Sequence, residues 1–222
     1  MLPNATDLRE ACVVAAHAVI AERGIEKLSL REVARELGVS HQAPYKHYPS
    51  RDHLLAEVMK RCFQRFAAHL SASLHGIDPE TDMDGLGRAY LQYAMENPLE
   101  YRLMFGTPWP DTAQHTELLE DARHSFDVLR EAIARLRGHA GTPLPAHDLD
   151  AMYVWSSMHG LATILQSDVM SKLPVKRGVL KQAVPHAMML VKAALSASPR
   201  LQAAGEKPAQ RQARSRRPRT TD

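Results

Sequence analysis

The most restrictive feature of this sequence is the short spacer Gly38-Val39-Ser40, which separates two short segments with helical patterning. The first segment runs from Leu30 to Leu37, and the second from Ser40 to about Tyr48, where a proline follows. Helices this short, joined by three residues with glycine first, cross steeply rather than lie antiparallel. The spacing therefore predicts a helix-turn-helix, although short helix pairs also occur in other helical proteins.

The segments on both sides of this pair also have helical periodicity. One helix is predicted from Asp7 to Arg23, and Ser29 and Ser50 are predicted to cap the two helices that follow them. Further apolar repeats predict helices over residues 86–97, 98–105, 118–136, 148–170 and 178–197, with Pro185 expected to kink the last or to mark a late start. Aromatic residues make up only 5% of the chain, and runs rich in valine and isoleucine are missing. The expected fold class is therefore all-α.

Several classes of protein are disfavoured by the sequence. The longest apolar stretch, Ala11 to Ala21, is too short to span a membrane, and the first residues do not have the pattern of a signal peptide. Cys12 and Cys62 have the setting of core residues in a reducing cytoplasm. The chain has no G-x-S-x-G, P-loop, G-x-G-x-x-G or H-E-x-x-H motif, and its histidines lack metal-ligand spacing. We therefore expect no enzyme, no cofactor and no metal site.

The second short segment carries side chains suited to DNA. Gln42 can bond the edge of adenine, His41 and Lys46 can donate to guanine or phosphate, and the Ala43 methyl group can meet thymine. Phosphate contacts are predicted for four side chains: Tyr45, Lys46, His47 and Arg51. The alternative is the ordinary polar face of a small helix. Pro44 disfavours α geometry at the residue before it, so the first turn is expected to be irregular.

Residues 8–58 resemble the N-terminal DNA-binding domain of the TetR family of transcriptional repressors. The resemblance is carried by the stretch from Leu28 to Ser40 and by Tyr45-Lys46-His47-Tyr48-Pro49-Ser50-Arg51, where Tyr48 stands in place of the usual phenylalanine. The C-terminal region is similar to a subgroup with a Trp-His-Gly signature, present as Trp155-Ser156-Ser157-Met158-His159-Gly160. The stretch from Asn97 to Gly106 is similar to the same subgroup.

The resemblance implies both an architecture and site residues. It implies a three-helix DNA-binding domain (residues 1–55) and a helical ligand-binding and dimerisation domain (56–198). The basic tail (199–222) lies outside the resemblance, and its lack of large apolar residues beyond Leu201 predicts that it is disordered. Base contacts are implied for Arg31, His41, Gln42 and Ala43, and backbone contacts for Ser29, Tyr45, Lys46, His47 and Arg51. The implied protein is a cytoplasmic repressor that binds a palindromic operator as a homodimer and is released by a small apolar molecule.

Large, adaptable or aromatic side chains in the second domain suggest a pocket for that effector. The predicted lining is Met95, Tyr101, Met104, Phe105, Trp109, Phe126, Met152, Trp155, Met158 and His159. For any single one of them, an ordinary core position is the alternative, and His159 can instead cap a buried hydrogen-bond network.

The last two long helices are apolar over most of their circumference, so each must be covered on more than one side. A four-helix dimer interface, as in family members, would supply that cover. The predicted interface residues are Leu165, Val169, Val184, Met188, Val191 and Leu195.

The net charge of +3 is unevenly distributed: residues 199–222 carry +5 and the rest of the chain −2. Such a tail can add affinity for phosphate backbones, or it can be a solvated extension. Two alternatives to the ligand-responsive repressor remain open. One is a DNA-binding architectural or nucleoid factor without an effector, and the other is a helical enzyme or carrier. A DNA footprint separates the first from a repressor, and turnover of a bound compound would indicate the second.

Overall fold

A computed structural model describes residues 5–138, 147–176, 178–179 and 181–197. Every regular element among these residues is helical, which confirms the all-α prediction. The chain divides into two compact units, Met1–Gly141 and Thr142–Asp222. The predicted tail (residues 199–222) and the connection over residues 139–146 lie outside the described residues.

The first unit begins with the elements that surround the predicted helix-turn-helix. α1 spans Ala5–Arg23, two residues earlier than predicted, and α2 spans Leu30–Glu36. Short 3₁₀ helices cover Ile25–Lys27 and Pro44–Lys46, and α3 spans Arg51–Ala72. The remaining helices of this unit are α4 (Pro79–Glu96), α5 (Pro98–Phe105) and α6 (Thr116–Leu136).

The two serine caps are confirmed. The Ser29 hydroxyl accepts the backbone N–H of Glu32 at 3.1 Å, and the Ser50 hydroxyl accepts that of His53 at 3.3 Å. Each bond pairs an amide that has no partner within its own helix. These caps fix the starts of α2 and α3.

The end of α2 is also as predicted, because Gly38 adopts a left-handed conformation with φ of 65°. Its N–H donates to the Arg35 carbonyl at 3.2 Å, and the Val39 N–H donates to the Ala34 carbonyl at 3.0 Å. This pair of bonds is a Schellman motif, which closes a helix and reverses the chain. Gly38 therefore provides the sharp turn that leads into Ser40–Tyr48.

The predicted second helix of the pair is wrong as an α-helix. Residues 41–43 form turns, and only Pro44–Lys46 is helical, in the tighter 3₁₀ form. Pro44 has no N–H and cannot donate to the Ser40 carbonyl, so the Ala43 N–H takes that acceptor at 2.9 Å. Ala43 itself has helical angles, φ −61° and ψ −45°, despite the proline after it.

α3 is the central helix of the first unit and contacts α1, α4, α5 and α6. α3 runs without a break across the predicted domain boundary between residues 55 and 56. The predicted division into two domains and a tail stays a proposal. Its contact with α6 includes two polar pairs: Lys60 with Glu117 at 2.8 Å and Gln64 with Asp121 at 2.8 Å. The buried side of α3 carries an apolar row: Leu55, Val58, Met59, Cys62, Phe63, Phe66 and Leu70.

In the second unit, α7 spans Asp148–Gln166 and α8 spans Val169–Lys172. The prediction of one helix over 148–170 is therefore wrong. Ser167 is extended (φ −86°, ψ 146°), and both its N–H and its hydroxyl bond the Ile164 carbonyl. Such local bonding by serine competes with helix continuation. A last helix, α9, covers residues 181–197 and continues through Pro185 without a break.

Candidate nucleic-acid interface

The segment Ser40–Tyr48 is anchored by two buried side chains, Pro44 and Tyr48. The Tyr48 ring is 3% exposed, and its hydroxyl donates to the Arg9 carbonyl of α1 at 3.2 Å. Burial raises the pKa of Tyr48, so the hydroxyl stays a neutral donor at physiological pH. The departure from the phenylalanine usual in the family therefore costs no unpaired buried hydroxyl.

The same segment points its polar side chains outward. His41, Gln42, Tyr45 and Lys46 are exposed, and Arg31 on α2 is exposed as well. The Gln42 amide donates to Nε2 of His41 at 3.2 Å, which holds the two side chains together at the surface. Ala43 and His47 are only partly exposed. The structure therefore gathers the predicted base-reading residues of this segment on one short, anchored turn.

Arg51 has protein partners that the sequence did not indicate. Its Nε donates to the Leu28 carbonyl at 3.1 Å, and a terminal nitrogen donates to the Ile25 carbonyl at 2.9 Å. These bonds tie the start of α3 to the connection between α1 and α2. Since the acceptors are backbone atoms 23 and 26 residues away, no local pattern identifies them. The predicted phosphate contact of Arg51 stays a prediction, as does that of the helix cap Ser29.

The predicted effector residues on α5 and just after it belong to an aromatic cluster. Tyr101 and Met104 are buried, while Phe105 and Trp109 are partly exposed. The ring of Phe63 on α3 meets Phe105 and Trp109 edge to face, at centroid distances of 5.8 and 5.3 Å. The Trp109 indole donates to the Met104 carbonyl at 2.9 Å. These contacts join α5 and the segment after it directly to α3.

The other predicted effector residues lie in three further places. Met95 is exposed near the end of α4, and the Arg130 guanidinium lies 5.1 Å from the ring centre of Phe126 on α6. On α7, Met152 is exposed, Met158 is buried, and the rings of Trp155 and His159 are 5.8 Å apart. Burial lowers the pKa of His159, which favours a neutral imidazole. The pocket as a set stays a prediction.

Glu100 forms a polar junction that sequence reasoning missed. Its carboxylate accepts two hydrogen bonds from Arg65 of α3, at 2.7 and 3.2 Å, and one from the Tyr93 hydroxyl of α4. Nε2 of His17 on α1 lies 3.7 Å from the same carboxylate. Burial lowers the pKa of His17, against the opposing effect of Glu100. One α5 side chain thus meets α1, α3 and α4.

The predicted dimer residues fall into two groups. Val191 and Leu195 are buried within one chain, whereas Val169 is exposed and Leu165, Val184 and Met188 are partly exposed. The exposed apolar side chains of α9 are Met189 and Leu190, at 56% and 50%. The uncovered apolar face of α9 therefore lies beside, rather than at, Val191.

The described residues contain no group of three or more histidine, cysteine, aspartate or glutamate side chains that could hold a metal ion. None of their helices is long and apolar enough to cross a membrane.

Two family models match the chain. A model described as bacterial regulatory proteins of the tetR family matches residues 13–58, and one described as a tetracyclin repressor-like C-terminal domain matches residues 83–177. The first covers the anchored segment Ser40–Tyr48, and the second includes the predicted effector residues from Met95 to His159. Neither bears on the Trp-His-Gly subgroup, which stays a prediction.

Among curated proteins, the chain is similar to the HTH-type transcriptional regulator Rv1816 of Mycobacterium tuberculosis, with 29% identity over 41% of this chain and 40% of the relative. It is also similar to the nucleoid occlusion factor SlmA of Pasteurella multocida, with 29% identity over 44% of this chain and 50% of that protein. The chain thus spans half or less of the length of these two relatives.

Solved structures match over a larger share of the chain. A Rhodococcus sp. RHA1 protein of unknown function has a TM-score of 0.66 and 25% identity, over 83% of this chain and 93% of that one. A Rhodococcus RHA1 regulatory protein of the tetR family has a TM-score of 0.58 and 18% identity, over 86% and 98% of the two chains. With both family models matched along the sequence, the chain belongs to the TetR family of DNA-binding transcriptional regulators.

Proposed function

We propose that this regulator is a cytoplasmic repressor that binds a palindromic operator as a homodimer and is released by a small apolar effector. The observation that carries the proposal is the anchored segment Ser40–Tyr48, which has two buried anchors and exposes His41, Gln42, Tyr45 and Lys46. Regulators of this family are generally not enzymes, and we propose no catalytic activity.

Base reading is assigned to Arg31, His41, Gln42 and Ala43. The amide of Gln42 can make two hydrogen bonds to adenine in the major groove, and the exposed guanidinium of Arg31 can do the same with guanine. Phosphate contacts from Tyr45, Lys46 and His47 would fix the register of the segment without selecting a sequence. In this proposal the turn at residues 41–43 and the short 3₁₀ helix after it replace a longer recognition helix, and the side chains of the turn face the bases.

Gln42→Ala is expected to weaken operator binding by about 1–3 kcal/mol and to leave random DNA almost unaffected, because base contacts carry the discrimination. Titrations of an operator duplex and a scrambled duplex at one salt concentration measure both effects. Lys46→Ala is the matched control, since loss of a phosphate contact weakens both duplexes equally. If Gln42→Ala keeps the wild-type preference for the operator duplex over the scrambled duplex, the bases are read by Arg31 or His41 instead.

The proposed dimer is supported by apolar side chains exposed in the second unit. On α7, Leu149, Met152 and Tyr153 follow helical spacing and are all exposed, and Ile164 lies exposed near its end. On α9, Met189 and Leu190 are exposed. Apolar surfaces of this kind, on two helices of one unit, are typical of subunit interfaces. Two copies of each helix would form the proposed four-helix interface.

Leu190→Glu is expected to convert the dimer to a monomer, because a carboxylate would have to leave water at an apolar interface. Sedimentation at micromolar protein concentration measures this. Gln182→Glu adds the same charge at another exposed position of α9 and should leave the dimer intact. A wild-type chain that sediments as a monomer, with and without DNA, would contradict the proposal. We choose Leu190 rather than Val191 for this test, because Val191 is buried and a charge at Val191 would also disturb folding.

Release by an effector requires a free energy that couples the two sites. We propose that an apolar molecule among the predicted effector residues shifts α5 and the segment after it, which pack on α3 through Phe63, Phe105 and Trp109. α3 begins directly after the segment Ser40–Tyr48. A displacement of α3 would therefore change the distance between the two copies of this segment in a dimer, and each copy reads one half of the operator. A hundredfold release needs about 2.7 kcal/mol of coupling, and operator DNA must weaken effector binding by the same factor.

A second candidate function is an architectural factor without an effector. This candidate is supported by the similarity to the curated protein named as a nucleoid occlusion factor. That similarity covers 44% of this chain and half of that protein. A footprint distinguishes the two candidates. A repressor protects a short palindrome near a promoter, whereas an architectural factor protects many dispersed sites.

A further inference from the structure

Two histidines from distant parts of the first unit lie against each other. His53 is in the first turn of α3, and His115 is the residue directly before α6. Their rings meet edge to face, with centroids 4.7 Å apart and planes at 86°. Both side chains are partly exposed, so protons from solvent can reach them. We call this pair the histidine contact, and none of the DNA-binding or effector residues proposed above is part of it.

His53 connects the histidine contact to the start of α3. The Ser50 hydroxyl, which caps α3, accepts the backbone N–H of His53 at 3.3 Å and lies 2.8 Å from Nδ1 of the same residue. A neutral imidazole can accept a hydrogen bond at Nδ1, so the hydroxyl can cap the helix and donate to the ring at the same time. Because Ser50 follows Tyr48 by two residues, the ring is held close to the end of the segment Ser40–Tyr48.

His115 connects the same contact to the predicted effector residues. It ends the connection between α5 and α6, residues 106–115, which also contains Trp109. The Trp109 ring meets that of Phe63 on α3 at a centroid distance of 5.3 Å. The connection therefore touches α3 at two places, one beside the predicted effector residues and one at the start of the helix, next to Ser40–Tyr48.

The surroundings of His115 oppose a positive charge on its ring. Burial lowers the pKa of His115, and the neighbouring His53 lowers it further. The ring also lies at the amino end of α6, where the helix dipole disfavours a cation. Asp52 and Asp111 raise the pKa of His115 but do not offset the other effects. Asp52 is itself paired with Arg51 at 3.3 Å.

A proton on His115 therefore favours conformations in which the rings have separated. The intact contact binds this proton less tightly than a histidine in water, so acid destabilises the contact as the pH falls below the ordinary histidine value of about 6.5. The next polar pair between α3 and α6 differs, because Lys60 lowers the pKa of Glu117 and both side chains keep their charges in mild acid. Mild acid thus acts on the end of α3 that adjoins Ser40–Tyr48.

We propose that the histidine contact makes DNA binding by this chain sensitive to pH. Neutral rings hold the connection 106–115 against the start of α3. A proton on His115 separates the rings and frees the end of α3 that positions Ser40–Tyr48, so that acid weakens operator binding in the absence of any effector. The inference rests on the proposed function, since it assumes that Ser40–Tyr48 reads the operator.

His115→Phe tests the inference, because a phenyl ring can keep the edge-to-face contact but binds no proton. The probe is a duplex that carries the operator, titrated at about pH 7.5 and at about pH 5.5, within the range in which histidine changes its charge. On acidification, the wild-type chain should lose about three- to tenfold more affinity than His115→Phe, since a pKa shift of one unit corresponds to a tenfold change. At the higher pH the two chains should bind equally.

His124→Phe is the matched control, because His124 is an exposed histidine on α6 itself. The affinity of this variant should respond to acid as that of the wild-type chain does. Protonation of His41 and His47, in the segment that reads DNA, changes the affinity of all three chains alike and cancels in the comparison.

Thermal unfolding at the same two pH values provides a second measurement, which needs no DNA. The wild-type Tm should fall more on acidification than that of His115→Phe, because the folded wild-type chain binds fewer protons than the unfolded one. Equal acid responses of the DNA affinities of these two chains would overturn the inference, whether or not their Tm values differ. A wild-type chain that binds no duplex at about pH 7.5 would overturn the proposed function itself, whereas operator binding at that pH without the difference in acid response overturns only the inference.

Discussion

Phe63→Ala is expected to lower the free energy of unfolding by about 3–5 kcal/mol, because Phe63 is 2% exposed and its removal leaves a cavity. For a chain of this size, that loss corresponds to a fall in Tm of roughly 6–20 °C. The ring lies at the point where α3 meets Phe105 and Trp109, so the cavity would open beside two predicted effector residues. Thermal and denaturant unfolding, followed by circular dichroism, measure the loss.

Gln64→Ala provides the control for this variant. Gln64 is the next residue of α3, is exposed, and bonds Asp121 at 2.8 Å. Replacement of Gln64 should lower the free energy of unfolding by much less than replacement of Phe63, since an exposed polar pair contributes about 1 kcal/mol or less. A dry apolar cavity binds small aromatic molecules, so indole should raise the Tm of Phe63→Ala more than that of the wild-type chain. A loss no larger than that of Gln64→Ala would show that Phe63 does not hold α5 to α3.

The features that the sequence predicted correctly depend on neighbouring residues. Ser29 and Ser50 cap their helices because a serine hydroxyl reaches an amide only three residues ahead. Gly38 ends α2 because glycine adopts the left-handed conformation without steric cost. These effects act within one turn of the chain, so their signals are complete in a window of a few residues.

The features that the sequence did not predict depend on residues far apart. Glu100 meets Arg65, Tyr93 and His17 from three other helices, and no spacing in the sequence relates these positions. The dimer face presents a similar difficulty, because α9 is apolar around most of its circumference. The periodicity of the sequence alone does not show that Val191 is buried within its own chain while Leu190 is exposed. Only the packing of the unit distinguishes the two.

Arg51 has a structural role in addition to the phosphate contact that the sequence predicts. The sequence placed it beside phosphate, and the structure adds two hydrogen bonds to backbone carbonyls near the start of α2. Arg51→Ala should therefore lower the free energy of unfolding by about 1–3 kcal/mol, because two carbonyls lose a charged donor. The Arg51 side chain is 40% exposed, and this exposure to solvent limits the loss. Operator binding should fall by about tenfold or more, since the connection that leads into α2, the helix that carries Arg31, loses its tie to α3.

Two further variants separate these roles. Arg51→Lys should not restore stability, because an ammonium group lacks the planar fork that reaches both carbonyls at once. Lys46→Ala removes an exposed cation beside the same segment and should weaken DNA binding while leaving Tm unchanged. If Arg51→Ala instead keeps the wild-type Tm and only flattens the salt slope by about one, Arg51 is a phosphate contact alone. If both Tm and DNA affinity fall together, the arginine acts on DNA through the connection that it holds between α1, α2 and α3.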